Sequence, residues 1–162
     1  MDAMRVTDLP LKYRALLGVY PWRRREPVPR ARLARPLSAS RVALVTTAGL
    51  VAEGDEPFDL ARRGGDPTYR VIPHATPPAR LGVFHRSDAF DRSPLARDLN
   101  VVFPRDPITE AAQHGRIGSV APRHLSFMGS ITAPRRLIRE YAPQAGAELV
   151  ADGVDVALLV PV

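Results

Sequence analysis

A chain of 162 residues that is 45% apolar and 25% charged is long enough for one domain with a buried core, and no apolar run in it approaches the ~20 residues a membrane span needs. It contains no cysteine, which excludes disulfides, thiolate metal sites and thiol redox chemistry from the residues given. The net charge of +6 rests on arginine, Lys12 being the only lysine, and its densest patch (Arg23, Arg24, Arg25, Arg30, Arg32 and Arg35) is interleaved with Pro21, Pro27, Pro29 and Pro36. Without aromatic platforms or a helix-turn-helix pattern, such a connector is expected to meet an acidic partner rather than nucleic acid. The start, MDAMRVTDLP, has no charged-then-apolar leader pattern, so a cytoplasmic location is expected.

In chain order, Leu9 to Tyr20 reads as a short helix with Pro10 in its first turn, followed by the basic arm. These residues, 1–40, form one expected unit, and 41–162 form an α/β domain. Arg41 to Thr47 (RVALVTT) is a buried strand, and Glu53 to Pro67, rich in Gly, Pro and acids, is a loop. Tyr69 to Pro73, Arg80 to Phe84 and Asn100 to Pro104 are short strands. The last of these should enter a helix with Asp106 as N-cap and Pro107 at its first position, ending near His114 and Gly115. Ile117 to Ala121 is a short apolar segment before a strand at Arg123 to Phe127. Thr132 should cap a helix from Pro134, kinked or restarted at Pro143 and ending at Asp152 and Gly153. Val154 to Val160 is apolar on both faces and is expected inside the sheet beside Arg41–Thr47 or Arg123–Phe127. The alternation gives an α/β fold with a mainly parallel sheet flanked by helices, and an incomplete one, because ligands of such sheets sit beyond strand ends where this sequence stops.

Three polar clusters adjoin strand ends. Asp55 and Glu56 read as solvated loop acids. His85, Arg86, Ser87 and Asp88 are followed by a second polar set at Asp98 and Asn100; His85 with Asp88 would supply only two ligands, too few for a metal site, and none is expected. Arg123, His124 and Ser126 lie among small and apolar residues, where a buried cation is costly unless an anion meets it.

The segments FHRSDAFDRSPLARDLNVVFPRDPITEAAQHGRIGSVAPRHLSFMGSI and ADGVDVALLVPV resemble the selenoprotein B family of glycine, sarcosine, betaine and D-proline reductases, as do VALVTTAGLVAEGDEPFD and GDPTYRVIP nearer the amino terminus. In that family a strand similar to LLVPV is followed by selenocysteine or cysteine, then two residues and another cysteine. Here the sequence stops at Val162, where UGA, the selenocysteine codon, would be read as a stop. The resemblance therefore implies an amino-terminal portion, truncated at its nucleophile, of a selenol- or thiol-dependent reductase that cleaves a C–N bond. A non-catalytic paralogue or binding subunit holding a carboxylate or a partner protein is the alternative.

The resemblance further implies selenocysteine in a full-length product, a pyruvoyl group in a partner subunit, other reductase subunits or a thiol reductant system as partners, and a small amino-acid-like substrate. On chemistry, Arg123 would clamp the substrate carboxylate and His124 would give a proton to the leaving amine. Ser126, His85 and Asn100 would line the site, and Asp88 and Asp98 would orient these groups or a substrate ammonium.

Overall fold

The computed structural model describes residues 6–19, 26–28, 31–87 and 90–162, so most of the basic arm and Asp88 lie outside the described residues. The chain divides into two units, 1–32 and 33–162. In the first, Leu11–Val19 forms helix α1, close to the expected span. The second holds everything else, and its opening segment is tied to the sheet unit by Arg35 to Asp155 at 3.2 Å and by Gly118 N–H donating to the Leu37 carbonyl.

Strand β1, Arg41–Thr46, is built of β-branched and aliphatic residues and is buried on both faces, as a central parallel strand must be. β2 (Leu50–Ala52) and β4 (Leu81–Val83) pair antiparallel in a separate two-stranded ribbon. β3 (Tyr69–Pro73) runs antiparallel beside β6 (Arg123–Phe127) at one side of the main sheet. β1 pairs in parallel with β5 (Ser119–Val120) through its first residues and with β6 through its last, and on its other side with β7 (Val156–Val160). The α/β reading with mostly parallel pairing therefore holds, with β3 as its antiparallel member.

Side-chain alternation along these strands gives two cores. Val42, Leu44 and Ile72 pack with Val102, Phe103, Ile108 and Ile117 on one face, under helix α2 (Arg105–Gln113). Leu125, Phe127, Val45 and Tyr69 pack on the other with Leu137, Ala145 and Leu149 of the carboxyl-terminal helical segment. That segment is a π-helical turn, Leu137–Tyr141, running directly into α3, Ala142–Ala151. Pro143 explains the irregularity expected there: it has no N–H to give the preceding turn, and its ring crowds that turn's carbonyl.

Three expectations are corrected: the strand at Asn100–Pro104, the Asp106 cap of the helix after it, and the burial of the last strand. Asn100–Pro104 is not a strand; Leu99–Val101 is a 3-10 turn whose N-cap, Asp98, accepts the Asn100 N–H at 2.9 Å, and Val102 and Phe103 are buried as core residues rather than as sheet members. α2 then starts at Arg105 with Pro104 in the capping position, and the cap is made remotely, by Asn100 Oδ1 accepting the Asp106 N–H at 3.0 Å. The strand ending at Val160 does lie beside β1, but at the edge of the sheet, with Leu158 and Leu159 42% and 68% exposed, so its expected burial on both faces is not met.

Candidate functional site at the carboxyl ends of the parallel strands

Register places the ends of three parallel strands at one level: Thr46 of β1 is opposite Ser126 of β6 and Val160 of β7. Beyond that level Thr47 N–H donates to the Val160 carbonyl at 3.1 Å, and Val162 N–H donates to Thr47 Oγ1 at 3.0 Å. The chain leaving β1 then meets two other segments. Gly49 N–H donates to the Phe127 carbonyl at 2.8 Å, and Phe84 N–H to the Gly49 carbonyl at 2.7 Å. The crossing needs glycine on both sides. At Gly49, φ +69°, a Cβ would lie 2.3 Å from the Phe84 oxygen; at Gly129, φ +70°, it would lie 2.6 Å from the Thr47 oxygen and 2.7 Å from His85 Nε2.

His85 enters this crossing from the segment after β4. It is 3% exposed, its ring lies 4.6 Å from that of Phe90, and its Nδ1 accepts the Ser87 N–H at 3.1 Å. An Nδ1 that accepts leaves the proton on Nε2, and Nε2 is buried with no partner among the described residues. Burial, with the Arg92 charge adding to it, pushes the imidazole pKa down, so the ring is a neutral N–H donor. Ser126 Oγ, at the level of Thr46, is also buried and has no partner among the described residues.

His124 has a different place. It is fully buried on the α2 face of β6, and its Nδ1 accepts the Leu44 N–H at 3.1 Å. Strands β5 and β6 are interrupted at Ala121–Pro122, opposite the middle of β1, so the imidazole takes the role of a sheet carbonyl there. Its Nε2–H then points to His74 Nδ1 at 3.0 Å, and His74 Nε2 lies 3.5 Å from Thr109 Oγ1, which donates to the Arg105 carbonyl at 2.7 Å. The chain of bonds has one direction, from sheet to helix, and requires both imidazoles neutral. Burial, then the neighbouring His74 and Arg105, pushes the His124 pKa down to about 4. His74 is pushed down by burial and by the Arg105 charge.

Arg123 faces away from that cluster. Its Nε and Nη2 donate to the two Asp152 oxygens at 2.6 and 3.1 Å, and Nη1 lies 3.7 Å from Glu148. Glu148 in turn accepts the Tyr69 hydroxyl at 2.6 Å, and burial together with this carboxylate pushes the Tyr69 pKa up to about 12. Asp98 and Asn100 sit at the amino-terminal end of α2, where Asn100 bridges Asp98 and Asp106 as a cap beside a cavity of about 210 Å³, and the turn they form leads into Val102, whose carbonyl accepts the Thr46 hydroxyl at 2.8 Å. Of the residues singled out by sequence, His85 and Ser126 border the strand ends, His124 lies in the core behind them, Asp98 and Asn100 are engaged in the cap of α2, and Arg123 is engaged on the α3 face. Sequence reasoning missed His74, Thr47 and the acid pair Glu148 and Asp152; the four-residue spacing of that pair on a helix is the signal that finds the partner of Arg123.

Residues 10–161 match the family of glycine/sarcosine/betaine reductase selenoprotein B. The chain belongs to that family. A D-proline reductase subunit gamma from Acetoanaerobium sticklandii is 34% identical over 125 residues, which are 77% of this chain and 50% of the relative. The chain thus spans about half the length of this relative. No solved structure matches it.

Proposed function

We propose that this chain is a component of a reductase that cleaves the C–N bond of a small amino-acid-like substrate of the glycine, sarcosine, betaine or D-proline class. In balanced form the C–N bond is replaced by C–H and N–H, two thiols are oxidised to a disulfide, and the nitrogen leaves as an amine or ammonia or, where it belongs to a ring as in proline, stays on the opened chain as a primary amine. The observation that supports it best is the common level of the ends of β1, β6 and β7, with Val162 bonded to Thr47. In the family's pattern a selenocysteine or cysteine follows the strand similar to LLVPV, and such a residue just past Val162 would emerge beside Thr47, where α/β sheets hold their ligands. Its selenolate or thiolate would supply the nucleophile, a partner subunit's pyruvoyl group would activate the amine, and a thiol system would return the electrons.

The genomic codon after Val162 tests the reading. An in-frame UGA followed by codons for further residues and a cysteine, together with thiol-dependent C–N cleavage of the substrate (amine release, or ring opening for proline) by the readthrough protein and its partner subunits, is the expected result. A UAA or UAG codon, or loss of frame, retires it in favour of a non-catalytic subunit.

A further inference from the structure

We infer that His85, through its Nε2–H, is the positioning residue that holds the carboxylate of the substrate at the strand ends, an inference that rests on the amino-acid reductase reading and adds a residue to it. Three observations carry it. His85 Nε2 is a buried donor with no acceptor among the described residues, and a native structure rarely leaves such a group unused. It lies against Gly129, which is itself half-exposed and without a side chain, so the donor sits just beneath the surface at the carboxyl end of β6. And the arginine that sequence favours as carboxylate clamp is held by Asp152 and Glu148.

The chemistry of the candidate substrates then selects the guest. A neutral N–H needs an acceptor. Glycine, sarcosine and proline carry protonated nitrogens at neutral pH, and betaine a quaternary one, so none offers a lone pair there. The carboxylate is the acceptor all four share. The charge beside the ring agrees with an anion: the Arg92 guanidinium donates to the His85 carbonyl. Ser126 Oγ is a second buried polar atom without a partner among the described residues, at the same end of the sheet.

The test uses the full chain, 15N-labelled, with histidine ring spectra recorded during titration with glycine, sarcosine, betaine and D-proline, and with pyrrolidine and dimethylamine as amines lacking a carboxylate. The expected result is an Nε2–H tautomer at His85 whose resonance moves saturably with at least one carboxylate and with neither amine. His85→Phe should weaken that binding tenfold or more, and His85→Gln, which keeps an N–H donor, should recover part of it. A His85 resonance indifferent to every carboxylate means the donor serves an ordered water only, and overturns the inference without relying on any variant that fails to fold. Equal affinity in His85→Phe overturns it too. The reductase reading is judged separately: a readthrough protein active with unchanged KM in His85→Phe removes His85 alone, whereas carboxylate binding at His85 beside a terminating UAA or UAG removes the reductase chemistry alone.

Discussion

Arg123 presents a fork of two nitrogens to one carboxylate, and lysine cannot reproduce that geometry although it keeps the charge. Because the partners are Asp152 and Glu148 of the helix preceding β7, Arg123→Lys is expected to lower the melting temperature and leave carboxylate affinity where it was. Thermal denaturation and ligand titration on the same variant check this; an unchanged melting temperature with weakened ligand binding would return Arg123 to the substrate. The residue types at this position were readable from sequence and their partners were not. Arginine, histidine and serine in series look like a site in one dimension, but strand alternation sends Arg123 to the face of α3 and His124 to the face of α2.

At the scale of elements, the interruption between β5 and β6 makes the sheet's hydrogen bonding depend on a titratable side chain. His124 and His74 both have folded pKa values below the usual 6.5, so as pH falls the unfolded chain takes up protons before the folded one does. Their contribution to stability is therefore complete above the unfolded value and is lost as pH drops from 6.5 toward about 4. For His124 the shift corresponds to about 3 kcal/mol. Denaturant melts across this window should show that loss, and His124→Phe should flatten the slope while lowering stability at neutral pH by about 1–3 kcal/mol, because the Leu44 N–H is left without an acceptor. A pH profile as steep in the variant as in the unaltered chain would disprove the coupling. Short elements with strong local chemistry, such as β1, β3 and the end of α2 at Gly115, were legible because β-branching and turn glycines act locally. The strand expected at Asn100–Pro104 was misread because Val102 and Phe103 have the apolar pair of a strand, while the Asp98 and Asn100 side chains fold their own backbone into a turn.

For the sheet unit as a whole, the two sides of the main sheet differ in how they meet solvent. β3 ends in Pro73 and carries Arg70, whose guanidinium closes the preceding loop by donating to the Glu56 and Pro57 carbonyls. β7 has no charge or proline between Val156 and Val160, and Leu159 is largely exposed. An uncharged apolar edge strand is a template for further pairing. The chain is expected to self-associate with rising concentration, and Leu159→Lys to suppress this with little change in stability. Sedimentation velocity over a concentration series checks it; a monomer at every concentration would show that the edge is protected. The apolar pattern of this strand was plain in the sequence, but whether it has neighbours on one side or two depends on the rest of the sheet, which local pattern does not encode.

The π-helical turn ahead of Pro143 has a consequence for how the last helix faces the sheet. Each residue of an α-helix turns the chain by about 100°, so with regular winding Leu137 and Leu149 would point about 120° apart. A π turn takes up one extra residue without advancing the phase, which brings Leu137, Ala145 and Leu149 to within about 20° of one direction. These three residues pack together against Leu125 and Phe127. The segment from Pro134 to Ala151 thus behaves as an α-helix carrying one inserted residue. Its contact with the sheet is set by the residues on either side of the insertion, so a deletion inside Ile138–Tyr141 would shorten the turn while leaving that face in phase.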